Sequence, residues 1–342
     1  MNKTIKRIVC AGLTLGLAAS VLGCSGEESA SSSSPAESQT QGTETVNFVL
    51  DWTPNTNHTG LYVAQELGYF KDEGLEVNIL QPPEDGATAL VGSGKADFGI
   101  DFQDSLAPAF DPETAIPVTA VAAVIQHNTS GMISLQSKGI TSPKKLEGMT
   151  YATWDMPVEK AMIQYVMEKD GGDYSKLNMV PTNVQDVVTA LNTNIDAVWI
   201  YYAWDGIATQ VKGIETNYWE FKDIDPVFDY YTPVIIANNE FLKEKPEIAK
   251  KFLSAVQKGY EYAIENPEKA GEILCKADET LDQEIVQESQ KWLASRYKAE
   301  VSRWGYIDPE RWNAFYQWLY DQKLVQNEIP DGTGFSNDYL PE

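Results

Sequence analysis

The chain has 342 residues, with 50 Asp and Glu against 26 Lys and Arg, for a formal net charge of −24. That excess argues against a nucleic-acid partner and against a strongly anionic ligand, a local basic pocket apart. Three Cys and two His leave little for a disulfide framework or for imidazole chemistry.

Lys3, Lys6 and Arg7 precede an apolar run over residues 8–22 that ends in "VLGC". A positive start, a short apolar stretch and a small-residue exit mark an export signal, not a membrane span. The exit resembles the lipobox of bacterial lipoproteins, so residues 1–23 read as a signal peptide and Cys24 as the lipidated first residue of the mature chain. Residues 24–45 are Ser-rich and lack apolar periodicity, and so cannot bury enough surface to repay ordering. They read as a flexible tether. The protein is therefore expected outside the cytoplasm, lipid-anchored to the outer face of the bacterial cytoplasmic membrane, with Cys275 its one remaining thiol.

From Val46 onward, short apolar runs alternate with helical patterns: "VNFVL", a helix from about Thr59, "LEVNIL", a helix from about Asp85, "DFGID", a helix near Ser105 and "IPVTAVAAV". A second set follows, with "GMISL", a helix opened by "TSPKKLEG", "MTYATW", a helix over Pro157–Lys169, "LNMVPT", "DAVWIYYAW" and "NYWEF". Strand and helix in alternation predict an α/β protein with mostly parallel, helix-covered sheets, here in two lobes. Beyond Asn239 the pattern is helical, with Pro246 and Pro267 placed to open helices and two more amphipathic segments after them.

Familiar motifs fail one by one. "GSGKAD" lacks the Gly and the Ser or Thr of a phosphate loop and reads as a helix C-cap. "DIDPVFD" has acid spacing, but Pro226 and a missing Gly spoil it as a calcium loop. No catalytic signature is present, so no catalytic residue, metal or cofactor is assigned and an enzyme is not expected. What does stand out is that Trp52, Trp154, Tyr201, Tyr202 and Trp204 fall at the ends of predicted strands. In open α/β sheets those ends line the ligand crevice.

The stretch "DWTPNTNHTGLYVAQELGYFKDEGLEVNIL", with "GSGKADFGI" and "NNEFLKEKPEIAKKFLSAVQKGYEYAIENPEKA", resembles the NMT1/THI5-like family of solute-binding proteins. The resemblance implies the two-lobed periplasmic-binding-protein fold of type II, with a hinged cleft. Crossings are placed near 127–131 and 231–234, giving lobe one over 46–128 and 235–342 and lobe two over 129–234. It also implies that Trp52 and His58 face a ligand, beside Asn55, which the turn itself offers as an amide partner. Gln103 after the third strand, Glu159 near the first cleft helix of lobe two, and Tyr202 carry over from the same resemblance; Trp154, Asp155, Tyr201 and Trp204 complete the cleft set. The acid that relatives carry after Tyr202 is absent, and Asp205 is the nearest. Where fungal pyrimidine synthases of the family carry a Cys-rich run, this chain reads "DYYTPVII".

The resemblance implies a substrate-binding subunit of an ABC importer, expected as a monomer working with permease and ATPase subunits and with no nucleic acid. A flat heteroaromatic needs stacking surfaces and edge hydrogen bonds, and the strand-end residues supply both. The ligand expected first is a thiamine pyrimidine precursor, hydroxymethylpyrimidine or formyl aminopyrimidine; riboflavin or another aromatic solute is the alternative. A synthase-type enzyme using His58 as donor comes last.

Overall fold

A computed structural model describes residues 42–82 and 86–342. Cys24, the export signal and most of the tether lie outside the described residues, as does Asp85, where the sequence pattern opens a helix. Among the described residues no helix is long and apolar enough to cross a membrane.

Among the described residues, runs of β-branched and aromatic residues form ten strands in two five-stranded sheets. The first holds β1 (Glu44–Val49), β2 (Leu75–Leu80), β3 (Phe98–Asp101), β4 (Val118–Ala123) and β10 (Val234–Asn238), in the order β2-β1-β3-β10-β4. The second holds β5 (Ser130–Leu135), β6 (Thr150–Thr153), β7 (Asn178–Pro181), β8 (Ala197–Tyr201) and β9 (Thr216–Glu220), in the order β7-β6-β8-β5-β9. In each sheet one strand, β10 or β5, pairs antiparallel with its neighbours, and the pairs β1–β2, β1–β3, β6–β7 and β6–β8 are parallel. β5 and β10 are the first strands after the chain passes from one sheet to the other. They therefore run away from the crossings, while the parallel strands deliver their carboxyl ends toward the opposite lobe. The α/β, two-lobed architecture expected from the sequence is the one observed.

The core of the first lobe is built around the helix Pro246–Glu265. Its Phe252 stacks on Phe98, Phe70 and Phe48 at ring-centroid distances of 4.2, 5.5 and 5.9 Å. In the second lobe the helix Pro157–Lys169 buries Met162, Ile163, Val166 and Met167 against the sheet. Pro157, Pro246, Pro267 and Pro309 each occupy the first helical position, where the missing N–H costs nothing. "TSPKKLEG" gives only a single 3₁₀ turn, Pro143–Leu146, because Gly148 at φ 77° reverses the chain before an α-helix can propagate. "GSGKAD" ends the helix Ala87–Gly92, with Gly94 at φ 71° and the Lys95 N–H returning to the Leu90 carbonyl.

The two crossings run side by side. Val124 N–H donates to the Pro233 carbonyl at 3.0 Å, and the Asn128 side chain donates to the Phe228 carbonyl at 2.8 Å. His127 sits between Asp229 (2.7 Å) and Glu300 (2.9 Å), and the Asp229 bond holds its imidazole above the usual pKa. Gln103, fully buried, clamps the same region: its side chain accepts from the Tyr231 N–H and donates to the Trp312 carbonyl.

One close approach sets the position of the turn after β1. The helices Thr59–Glu66 and Pro246–Glu265 meet at Gly60 and Gly259, where a Cβ on Gly259 would collide with the Gly60 carbonyl. The Gly259 contact is with backbone of a packed helix, so it cannot yield cheaply, while a Cβ on Gly60 would meet the buried Tyr260 ring. Gly259→Ala is expected to destabilise the protein by about 1–3 kcal/mol in urea unfolding. An unchanged midpoint would show that the helices separate freely.

Candidate functional site

Where β1 ends, the chain must leave the sheet and enter a helix within a few residues, and "DWTPNTNH" accomplishes this with side chains. Asn55 caps the 3₁₀ turn Thr56–His58 by accepting from the Asn57 N–H at 2.9 Å. His58, fully buried, accepts from the Asn55 N–H on Nδ1, so its Nε2 carries the proton and donates to Asp51 at 2.7 Å. Tyr297 and Tyr260 donate to the carbonyls of Thr56 and Asn57, both at 2.6 Å. Asn55 and His58 are thus occupied in holding the turn, which presents Asp51 and leaves Trp52 half exposed.

The end of β3 brings two more carboxylates. Asp101 accepts from Thr88, Ser105 and the Phe102 N–H, and burial, with Asp51 nearby, raises its pKa. Asp104 is pushed up to about 6, chiefly by burial and further by Asp101. From the other lobe Tyr201, the last residue of β8, stacks on Phe102 at 5.6 Å and 12°. Its hydroxyl feels Asp104, Asp51 and Asp101 and is held well above the usual range, mainly by burial. No cation contributes to the shift of Asp101, Asp104 or Tyr201. Asp104 Oδ1, Tyr230 Oη, Ser130 Oγ and Thr232 Oγ1 are buried without a hydrogen-bond partner. They lie close together: Tyr230 is beside Asp104 and Ser130, and Thr232 is beside Tyr201, with Ser130 and Thr232 near enough to act on the two phenols as weak hydrogen-bond partners in poor geometry. Buried polar atoms are normally well paired, so this cluster of poorly paired ones is a candidate binding position.

The remaining strand-end residues go elsewhere. Tyr202 packs between Tyr218 and Trp292, at 4.7 and 5.2 Å, and Trp204 packs against Tyr62, Leu274 and Val286 of the first lobe. Both lie in a π-helical turn, Tyr202–Gly206, a distortion common at functional positions. Here it joins the lobes: Ser289 links the Ala203 carbonyl to the Thr56 hydroxyl. Asp205, pushed up to about 7 by burial and then by Asp186, makes no hydrogen bond or ion pair among the described residues and stands apart from the Asp51, Asp101 and Asp104 group. Glu159 is buried, and its carboxylate accepts from the Tyr151 and Thr153 hydroxyls and from the Trp154 and Met156 N–H groups. Those four donors leave it no role as a free acceptor. Trp154 is 40% exposed, and Asp155, at φ 67°, pairs with Lys160.

The model of proteins described as NMT1/THI5 like matches residues 55–270. The chain belongs to the NMT1/THI5-like family. It is 30% identical to the formylaminopyrimidine-binding protein of Halalkalibacterium halodurans, over 88% of this chain and 92% of that protein. It is 26% identical to the 4-amino-5-hydroxymethyl-2-methylpyrimidine phosphate synthase THI11 of Saccharomyces cerevisiae, over 87% of this chain and 88% of the synthase. In fold it is similar to the alkanesulfonate-binding protein SsuA of Xanthomonas axonopodis pv. citri bound to MOPS, with a TM-score of 0.66 at 10% identity, covering 86% of this chain and 99% of the other.

Within this family member, Asp51, Asp101, Asp104 and Tyr230 form a group that the aromatic pattern alone does not single out. The signal was present in "VLDW" and "GIDFQDS", acids placed directly after apolar strands. Asp104 yields a signed pH prediction. Its folded pKa lies above the usual value of 3.8, so the folded state holds the extra proton between about 4 and 6 and stability falls as pH rises through that window. Asp104→Asn should raise the melting temperature of the ligand-free protein at pH 7 and leave it nearly unchanged at pH 4. Equal shifts at both pH values would remove the charge from the explanation.

Proposed function

We infer that the protein is an extracytoplasmic solute-binding subunit of an ABC importer, anchored through Cys24, whose cleft takes an aminopyrimidine of the thiamine-precursor class. Lobe one is placed at 46–128 and 235–342 and lobe two at 129–234. The observation that carries the reading is the group of Asp51, Asp101 and Asp104 at the ends of β1 and β3, facing the stacked rings of Phe102 and Tyr201. Carboxylates accept from exocyclic amines and protonated ring nitrogens, while ring faces bind a flat heterocycle. The 30% identical relative that binds formylaminopyrimidine supports the same class. An alkanesulfonate, the ligand type of the fold neighbour, would be repelled by these carboxylates.

A self-consuming synthase would need a free imidazole. His58 is buried, with Nδ1 on the Asn55 N–H and Nε2 on Asp51, and this opposes it as a donor. Trp52, half exposed beside Asp51, is the remaining ring face at the cleft mouth on the lobe-one side.

Calorimetry against hydroxymethylpyrimidine, formylaminopyrimidine and riboflavin tests the reading. Tyr201→Ala is expected to cost about 0.5–1.5 kcal/mol toward any flat ligand. Asp104→Asn is expected to cost about 1.5–3 kcal/mol toward aminopyrimidines and little toward an analogue without the amine. Binding of riboflavin with no response to either pyrimidine would transfer the assignment to the flavin alternative.

A further inference from the structure

Residues 153–156 form a loop whose construction exceeds what a connection from β6 to the next helix needs. Glu159 is buried, and its carboxylate fixes both ends of the loop through Thr153, Trp154 and Met156. Asp155 is held at φ 67°, a conformation that costs a non-glycine residue energy and that is concentrated at functional sites. The result of this outlay is that two large apolar side chains point outward, Trp154 at 40% and Met156 at 55% exposure. Trp154 is not loose, for one side of its indole rests on Trp199 at 5.6 Å.

Beside it lies a recess of 430 Å³ lined by Thr153, Trp154, Pro181, Thr182 and Asn183. Its volume is within the roughly 300–1,000 Å³ of small-molecule sites. The recess sits at the carboxyl ends of β6 and β7. Because β6 is parallel to both β7 and β8, these ends share the sheet edge from which Tyr201 reaches the lobe-one acids. Neighbouring strands are about 4.8 Å apart, so the recess is one to two strand spacings, ~5–10 Å, from the end of β8. That is the reach of a second ring joined to the first by a short link.

We propose that this recess is a second subsite of the cleft, taking a planar, preferably cationic, heteroaromatic substituent of the ligand on the face of Trp154, with Pro181 as the far wall and Asn183 and Thr182 at the polar edge. The proposal rests on the reading of the cleft as an aminopyrimidine site and narrows its ligand class to pyrimidines that carry a second ring. A cation is favoured because an indole face attracts positive charge. Glu159 is a positioning residue here, acting only through the loop.

Two probes separate the subsite from the cleft: hydroxymethylpyrimidine, with one ring, and thiamine, an aminopyrimidine joined through one carbon to a cationic thiazolium. Both are titrated by calorimetry into the wild type, Trp154→Ala and Asn183→Ala, with melting temperatures measured to confirm that the exposed substitutions leave the fold intact. The wild type should bind thiamine more tightly than hydroxymethylpyrimidine. Trp154→Ala should weaken thiamine roughly three- to tenfold and leave the one-ring probe within about twofold. Asn183→Ala should act in the same direction and more weakly. If hydroxymethylpyrimidine binds but Trp154→Ala affects both probes alike, or neither, the subsite is refuted and the cleft reading stands. If hydroxymethylpyrimidine does not bind the wild type, the cleft reading itself fails and the subsite falls with it.

Discussion

The hydrogen bond from His58 to Asp51 closes the turn between the first strand and the first helix, and the contribution of lobe one to the cleft hangs on that closure. With His58 buried and its second nitrogen on the Asn55 amide, the imidazole can neither rotate nor leave. Asp51 is therefore held in one orientation beside Asp101 and Asp104. Tyr260 and Tyr297 fasten the same turn from the helical layer behind it, and they reach it because Gly60 and Gly259 let two helices touch. A backbone contact far from the cleft thus determines where a carboxylate stands within it.

The strand-end residues divide by whether the protein satisfies them. Asn55, His58, Gln103 and Glu159 are saturated by protein partners, and their energetic role is to make loops rigid. Tyr202 and Trp204 are consumed in packing between lobes. The atoms left over, on Asp104, Tyr230, Ser130 and Thr232, are the ones that water or a ligand must answer.

Much of the fold was legible because its signals are local. Proline at the first helical position, apolar runs of strand length and the helical period each act over a few residues, and the helices Pro157–Lys169, Pro246–Glu265 and Pro267–Ala277 begin where prolines say they do. β10 is harder to read, since its "VIIAN" begins at the edge of the 231–234 crossing, and its place between β3 and β4 depends on partners more than a hundred residues away. The site was legible by position and much less by role. Sequence can put Glu159 near a helix start and Trp204 at a strand end; only tertiary contacts reveal that one carboxylate has four donors and that one indole packs against the other lobe. Asp104 escaped the aromatic pattern because its importance comes from burial without a counter-ion, which no short window encodes.

Contacts between the lobes through Tyr202, Trp204 and Ser289 involve no ligand, so they favour apposition of the lobes whether or not the cleft is filled. Acting alone they would hold the lobes together at all times. The carboxylates of Asp51, Asp101 and Asp104 all stand on lobe one, at the ends of β1 and β3, and apposition covers them with Tyr201 of the second sheet. Burial raises the pKa of Asp101 and Asp104, so cover from the second lobe disfavours their charge, and a hydrogen-bond donor set among them would offset that cost. The charge these acids carry is thereby tied to how closely one lobe stands over the other.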